Sequence, residues 1–177
     1  GDQPVGDDSG WGLAGDPNKI WSYEELAAIK RDIEANGLQL EAIENFDPAH
    51  WHDVLLDGPK KSQQLENLKQ LIRNVGKAGI PVFGYNFSIA GVAGRVKGPF
   101  ARGDAEAVGM DGPFDQPLPN GMVWNMVYDR SAAPGVVPSA TQEQLWARLK
   151  VFLDAIIPVA EEAGVTMAAH PDDPTMP

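Results

Sequence analysis

Val75-Gly-Lys-Ala-Gly-Ile-Pro-Val-Phe-Gly-Tyr-Asn-Phe87 packs the end of a helix, a glycine and a strand into one short stretch. Upstream, Leu65, Leu68, Ile72 and Val75 recur at the three-and-four spacing of an amphipathic helix. The period stops at Gly79, as expected where the residue past a helix end takes φ > 0, which glycine does without a Cβ clash. Downstream, Ile80–Phe87 is short and mostly apolar, the pattern of a buried strand. The same order occurs twice more, in Ile33-Glu-Ala-Asn-Gly-Leu-Gln-Leu-Glu-Ala-Ile-Glu-Asn45 and in Ala160-Glu-Glu-Ala-Gly-Val-Thr-Met-Ala-Ala-His-Pro-Asp-Asp173. Ser22 and Glu25 form a capping box ahead of Leu26, Ile29 and Ile33, which predicts a helix from Tyr23 to about Asn36. Leu145, Leu149, Phe152, Ile156 and Val159 predict another before Gly164, with a kink or local break at Pro158, which has no backbone donor.

Helix, glycine and strand in repetition make βα architecture, with Leu38–Glu44, Ile80–Phe87 and Val165–His170 as parallel strands buried on both faces. A closed (β/α)8 barrel and an open doubly wound sheet share this signature, and both put function at the carboxyl ends of their strands. A barrel takes about 250 residues, so 177 residues with three clear strands predict a partial (β/α)8 TIM barrel, a single incomplete domain over residues 1–177. Gly1–Trp21 reads as a loop with no strand ahead of the first helix. Ser88–Ala140, with many Gly and Pro and no sustained period, reads as a long loop insertion, the kind of segment that forms lids and binding loops. Inside it, Met122–Tyr128 alternates enough for a short strand or hairpin arm after a turn at Pro119-Asn-Gly121.

Composition narrows the function classes. The 19 Gly and 15 Pro stay below the roughly 25–30% of a low-complexity chain, so a packed core is expected. A net charge of −11 leaves no basic face for displacing counterions from a phosphate backbone, so no nucleic-acid partner is expected. With no Cys, the chain offers neither disulfide nor thiolate. No run approaches the roughly 18 apolar residues of a membrane span, and Gly1-Asp2-Gln3 lacks the basic start of a signal peptide, so a soluble cytoplasmic protein with no membrane partner is expected.

The parallel arrangement brings the strand exits to one rim: Glu44 and Asn45, then Tyr85 and Asn86, then His170-Pro-Asp-Asp173. Imidazole is the commonest ligand of divalent transition metals, and neighbouring carboxylates and amides suit a polyhydroxylated substrate or a hard cation. His170 is therefore the ligand candidate, delivered in extended backbone because Pro171 follows it. Asp172 or Asp173 would accept the other ring N–H and fix the tautomer. The plainer readings are a turn histidine, a solvated Glu44 and a Tyr85 that packs with a wet hydroxyl. His50 and His52, two residues apart, resemble a two-histidine metal site. Extended backbone would splay them, so a loop contact to substrate or partner is the better expectation. Arg95, Lys97 and Arg102 stand among glycines in a loop that either clamps a carboxylate or is simply solvated. No phosphate-loop or dinucleotide fingerprint is present.

At these residues the chain resembles the mannonate dehydratase family, metal-dependent sugar-acid hydro-lyases on a xylose-isomerase-like (β/α)8 barrel. Leu40-Glu-Ala-Ile-Glu-Asn45 is similar to the family's second strand exit, Asp53-Val-Leu-Leu-Asp-Gly-Pro59 to the loop before its next helix, and Ile72–Phe87 to its third helix-strand unit. Ala169-His-Pro-Asp-Asp-Pro174 is the most specific of the motifs. The resemblance implies that His170 is a ligand of a catalytic Mn2+ or Fe2+, and that Glu44, Asn45, Tyr85, Asn86 and Asp172 bind the sugar acid or orient the ligands, with Asp173 behind them. It places the family's other ligands, a Cys, a second His and an Asp, on later strands, together with its acid-base residues. The expectation is thus the N-terminal half of a homo-oligomeric enzyme, inactive by itself, that converts D-mannonate to 2-keto-3-deoxy-D-gluconate and water in glucuronate catabolism. A metal-dependent sugar isomerase or epimerase of the same barrel group, and a non-catalytic fragment, are the alternatives.

Overall fold

The computed structural model describes residues 12–90, 95–110 and 117–170. In chain order the elements are β1 (Gly12–Leu13), α1 (Tyr23–Ala35), β2 (Ala42–Ile43), α2 (Pro48–Leu56), α3 (Lys61–Lys77), β3 (Val82–Tyr85), β4 (Arg95–Gly98), a 3-10 turn at Arg102–Asp104, β5 (Ala107–Met110), β6 (Met122–Val123), β7 (Met126–Val127), α4 (Gln142–Ala163) and β8 (Thr166–Ala169). The protein is thus a mixed α/β fold around a parallel sheet of order β2-β3-β8. Strands that are neighbours in space are also successive units of the repeat, and all three exits fall on one edge.

The helix boundaries follow local chemistry. Ser22 accepts from the Glu25 N–H while the Glu25 carboxylate accepts from the Ser22 N–H, closing the capping box of α1. Thr141 and Gln144 do the same for α4. Gly37, Gly79 and Gly164, the three expected helix stops, all lie at left-handed φ, between 67° and 77°. Two details differ from the expected pattern. The local break at Pro158 does not occur: α4 runs as one helix from Gln142 to Ala163, its buried stripe of Phe152, Ile156, Val159 and Ala160 held by tertiary packing on both sides of the proline. Ile29, expected on the apolar face of α1, is 53% exposed, since α1 turns only Leu26 fully inward.

Register assigns the two faces of the sheet. Ile43, Phe83 and Met167 are cross-strand partners on one side and join the core. Ala42, Val82 and Thr166 are partners on the other, where Ala42 and Thr166 are exposed. The expected burial on both faces is therefore corrected to burial on one. Beneath the covered face, Phe46, Trp51, Phe83, Phe87 and Phe152 meet at ring-centroid distances of 4.4 to 6.0 Å, a geometry that adds to their area burial. α3 and α4 approach closely at Gly76, where a Cβ would come within 2.3 Å of the Ala163 carbonyl oxygen.

The segment before α1 and the insertion also hold structure. β1 pairs in parallel with β7, which pairs antiparallel with β6, so a strand does precede the first helix. β4 and β5 form a separate antiparallel hairpin. The turn between β6 and β7 is Trp124-Asn125, both at positive φ (50° and 56°), as a type I′ turn requires. The expected turn at Asn120-Gly121 is present too, with Gly121 at φ 80° and its carbonyl accepting from Tyr128 and Asp129. No helix among the described residues is long and apolar enough to cross a membrane.

Candidate functional site

Each exit residue is fixed by backbone contacts with its neighbour. Asn45 follows β2 in a left-handed conformation, φ 64°, and its N–H donates to the Gly84 carbonyl at 3.1 Å. The His170 N–H donates to the Tyr85 carbonyl at 2.8 Å, extending the β3–β8 ladder by one residue. These two bonds carry Glu44 and His170, which belong to the outer strands, toward each other across the end of the middle one. The Glu44 Oε1 and His170 Nε2 atoms lie 3.4 Å apart, with both side chains substantially exposed. Tyr85 is half-buried with its ring 5.3 Å from that of Phe152, and Asn86 is buried.

Sequence reasoning therefore names five residues that the structure brings to one rim: Glu44, Asn45, Tyr85, Asn86 and His170. Asp172 and Asp173 lie outside the described residues. The carboxylate seen beside His170 is that of Glu44, from the far strand. Two oxygens on this rim, Asn45 Oδ1 and Asn86 Oδ1, are buried with no hydrogen-bond partner among the described residues. Such atoms are costly unless something polar meets them. Among the described residues no three His, Cys, Asp or Glu converge as a metal site. His170 and Glu44 have suitable donor chemistry for Mn2+ or Fe2+, but two donors make one side of a coordination shell, not a whole one.

The histidine pair is corrected. Pro48–Leu56 is a helix, begun by Asp47 as N-cap with Pro48 at its first position, and both imidazoles are buried. On a helix the i, i+2 spacing also sends side chains apart. His50 Nε2 lies 3.2 Å from the Asp16 carbonyl and its ring meets Trp21 edge-on. His52 stacks on Tyr128 at 3.9 Å with planes 6° apart, and its Nδ1 lies 3.1 Å from the Pro48 carbonyl. Burial pushes the His52 pKa down against the opposing charge of Asp53, and pushes that of Tyr128 up. His52 thus tethers α2 to Tyr128 of the insertion and His50 ties it to the segment before α1, both from a buried helix instead of the expected loop contact to substrate or partner. Asp53–Leu56, expected in a loop, is the last turn of the same helix. Lys97 lies exposed on β4, and Arg102 is exposed in the 3-10 turn, so the basic residues belong to a hairpin and its turn.

Sequence reasoning missed Asp47 and Trp124. The Asp47 carboxylate accepts from Ala49 N–H at 2.9 Å and from Gly15 N–H at 2.9 and 3.0 Å, pinning the segment before α1 against the rim. Asp47-Pro48 is the signal that could find it, an N-cap aspartate followed by proline at the first helical position. Trp124 closes a pocket of about 340 Å3 with Trp21, Glu44, Asn45, Asp47 and Met126. No turn signal marks it, because type I′ turns favour Asn and Gly.

The family model of D-mannonate dehydratase (UxuA) matches residues 5–107 and 137–177. The chain belongs to the D-mannonate dehydratase family. A mannonate dehydratase of Streptococcus pneumoniae (strain 70585) is 36% identical over 170 residues, covering 88% of this chain and 45% of that protein. Mannonate dehydratase 2 of Halalkalibacterium halodurans is 33% identical over 168 residues, covering 88% and 47%. The crystal structure of mannonate dehydratase from Streptococcus suis serotype 2 matches with a TM-score of 0.67 at 32% identity, over 90% of this chain and 43% of that one. The chain therefore spans under half the length of these mannonate dehydratase relatives. The family match passes over residues 108–136, where β6, β7 and Trp124 lie.

Proposed function

We propose that this chain is the N-terminal part of a mannonate dehydratase-like hydro-lyase, built on half of a (β/α)8 barrel and acting in the cytoplasm on D-mannonate. The observation that carries the reading is the approach of Glu44 to His170 across the end of β3, which gathers three successive strand exits into one polar rim. Membership of the family supports the chemistry, and the single covered face of the sheet supports the half-barrel. The exposed side, with Ala42 and Thr166, is where a barrel's interior would lie.

Dehydration removes the proton from the carbon beside the carboxylate and the hydroxyl from the next carbon, leaving an enol that becomes the 2-keto product. A divalent Mn2+ or Fe2+ held in part by His170 would supply Lewis acidity toward the carboxylate and a hydroxyl. The residues of this chain bind and orient. Glu44 and Asn86 meet substrate hydroxyls with acceptors, Asn45 adds a buried one, and Tyr85 holds the rim against the aromatic core. The proton carriers for the carbon and the leaving hydroxyl come from the remainder of the enzyme in this reading.

The test compares this chain with a version extended by the C-terminal half of a relative, each with D-mannonate and manganese. The expected result is a product lighter by one water from the extended protein only, and loss of most activity in its His170→Ala variant. A product of unchanged mass would overturn the dehydratase reading in favour of a sugar isomerase, for which a strand-end Glu44 is equally suited.

A further inference from the structure

α4 carries more apolar surface than it buries. Its covered stripe is Phe152, Ile156, Val159 and Ala160. Leu149 and Leu153 are half-buried at the edge of that stripe, and beyond them Trp146 and Ile157 are 64% and 37% exposed. At about 100° per residue, Trp146, Leu153 and Ile157 fall within about 40° of one another on the helix surface. A row of this spacing is how one helix packs on another, and a contiguous apolar row left open on a folded chain marks a surface made for a partner.

The row lies on the flank of α4 turned away from its neighbours. Arg148 donates to the Leu55 carbonyl of α2 at 2.9 Å, and two residues of a helix turn through about 200°, so Trp146 projects to the opposite side. Ala163 meets Gly76 of α3, and Ile157 stands about 120° round the helix from it. The sheet repeats this asymmetry. In the order β2-β3-β8, β8 is an outer strand with no ladder partner on its far edge among the described residues, and such an edge is a template for a further strand. α3 joins β2 to β3, and α4 joins β3 to β8. Parallel crossovers share one hand, so a crossover from β8 to a strand on its open edge would lay its helix beside α4, on the flank away from α3. The relatives are more than twice as long as the region they share with this chain.

We propose that the open edge of β8 and the row Trp146, Leu153 and Ile157 form one docking surface for the next βα unit of the same enzyme, which adds a parallel strand to β8 and covers Trp146 with the apolar stripe of its helix. The proposal rests on the half-barrel reading. Glu143, Asp154 and Glu161 run along the outer side of the row, with Lys150 paired to Asp154 at 2.5 Å, so the helix that fits carries basic residues on that side. The test is hydroxyl-radical footprinting, read residue by residue by mass spectrometry, on this chain and on the extended protein. Oxidation of Trp146 is expected to fall about fivefold or more in the extended protein as Trp146 is buried, and to be independent of concentration in this chain. Amide exchange across Thr166–Ala169 should slow in the extended protein as well. Trp146→Lys combined with Ile157→Lys replaces exposed side chains, so the thermal midpoint of this chain should stay within about 2 °C, while that of the extended protein should fall by about 5 °C or more. Unchanged oxidation of Trp146 in the extended protein, or a double variant that leaves both midpoints in place, would overturn the surface. Protection of Trp146 in this chain that grows with its concentration would assign the row to a second copy and overturn it too. If the extended protein does not fold, a tagged form of this chain is co-expressed with the C-terminal half as a separate polypeptide. Recovery of that half with the wild type and not with the double variant supports the surface, and equal recovery or none overturns it. A protected Trp146 in an extended protein that leaves D-mannonate unaltered would sink the dehydratase reading and keep the surface, and dehydration with Trp146 still exposed would do the reverse.

Discussion

Leu68, Leu71, Ile72, Val75, Phe83, Phe152 and Ile156 of the βα frame are completely shielded from solvent, whereas among the described residues of the insertion between residues 88 and 140 only Val123 is. The frame holds itself together through helices that share one core. The insertion depends on turn geometry, on Val123 reaching into that core, and on the stack of Tyr128 against His52. Family membership is written in the first region and interrupted in the second. The comparison teaches that what places the chain in its family and what adds the Trp124 and Met126 wall to its rim pocket reside in segments stabilised by different means.

Three measurements can break or sharpen that contrast. The largest effect is expected from Phe152→Ala, which removes a ring touching Phe46, Trp51, Tyr85 and Phe87. A loss of about 3–5 kcal/mol in denaturant unfolding is expected, with both regions melting together. A loss below about 1 kcal/mol would mean that the frame is not organised by this cluster. Next comes Gly121→Ala, whose Cβ would sit 2.3 Å from the Asp129 carbonyl oxygen at a left-handed backbone position. A loss of about 1–3 kcal/mol is expected, seen as faster hydrogen exchange at Tyr128 and Asp129 with the α3 amides unchanged. Faster exchange in α3 as well would show that the two regions do not open separately.

The smallest effect is the pH dependence of the tether. The pKa of His52 is lowered below its ordinary value of 6.5 by burial, so the unfolded chain binds the proton more readily than the folded one. Its contribution is fully present above pH 6.5 and is lost as pH falls below that value. Stability of the wild type should therefore decline on that side more steeply than that of His52→Gln. Asp53, Lys60 and Asp129 also face this group and are unchanged in the variant. Parallel profiles would remove His52 from the coupling between regions.

Much of the frame was legible in the sequence because its signals are local. Gly37, Gly79 and Gly164 mark helix ends by a conformation only glycine adopts freely, and a capping box needs just four residues. The rim followed from topology, since parallel strands must share an exit edge. Less could be read where contacts are distant. α2 is a short helix whose face is buried all round, so Pro48–Leu55 shows no amphipathic period. β1 is two residues that acquire meaning only by pairing with β7, more than a hundred positions away. The two-residue turn at Trp124 breaks the residue preferences of its type, and the burial of only one sheet face depends on register, which apolar runs do not encode.

One further consequence follows from the backbone of Asn45. Its left-handed φ and its bond to Gly84 are settled during folding, so the amide is already ordered when a ligand arrives. Binding of the proposed sugar acid there would forfeit little chain entropy, and its affinity should reflect the fit of the ligand more than any rearrangement of the protein.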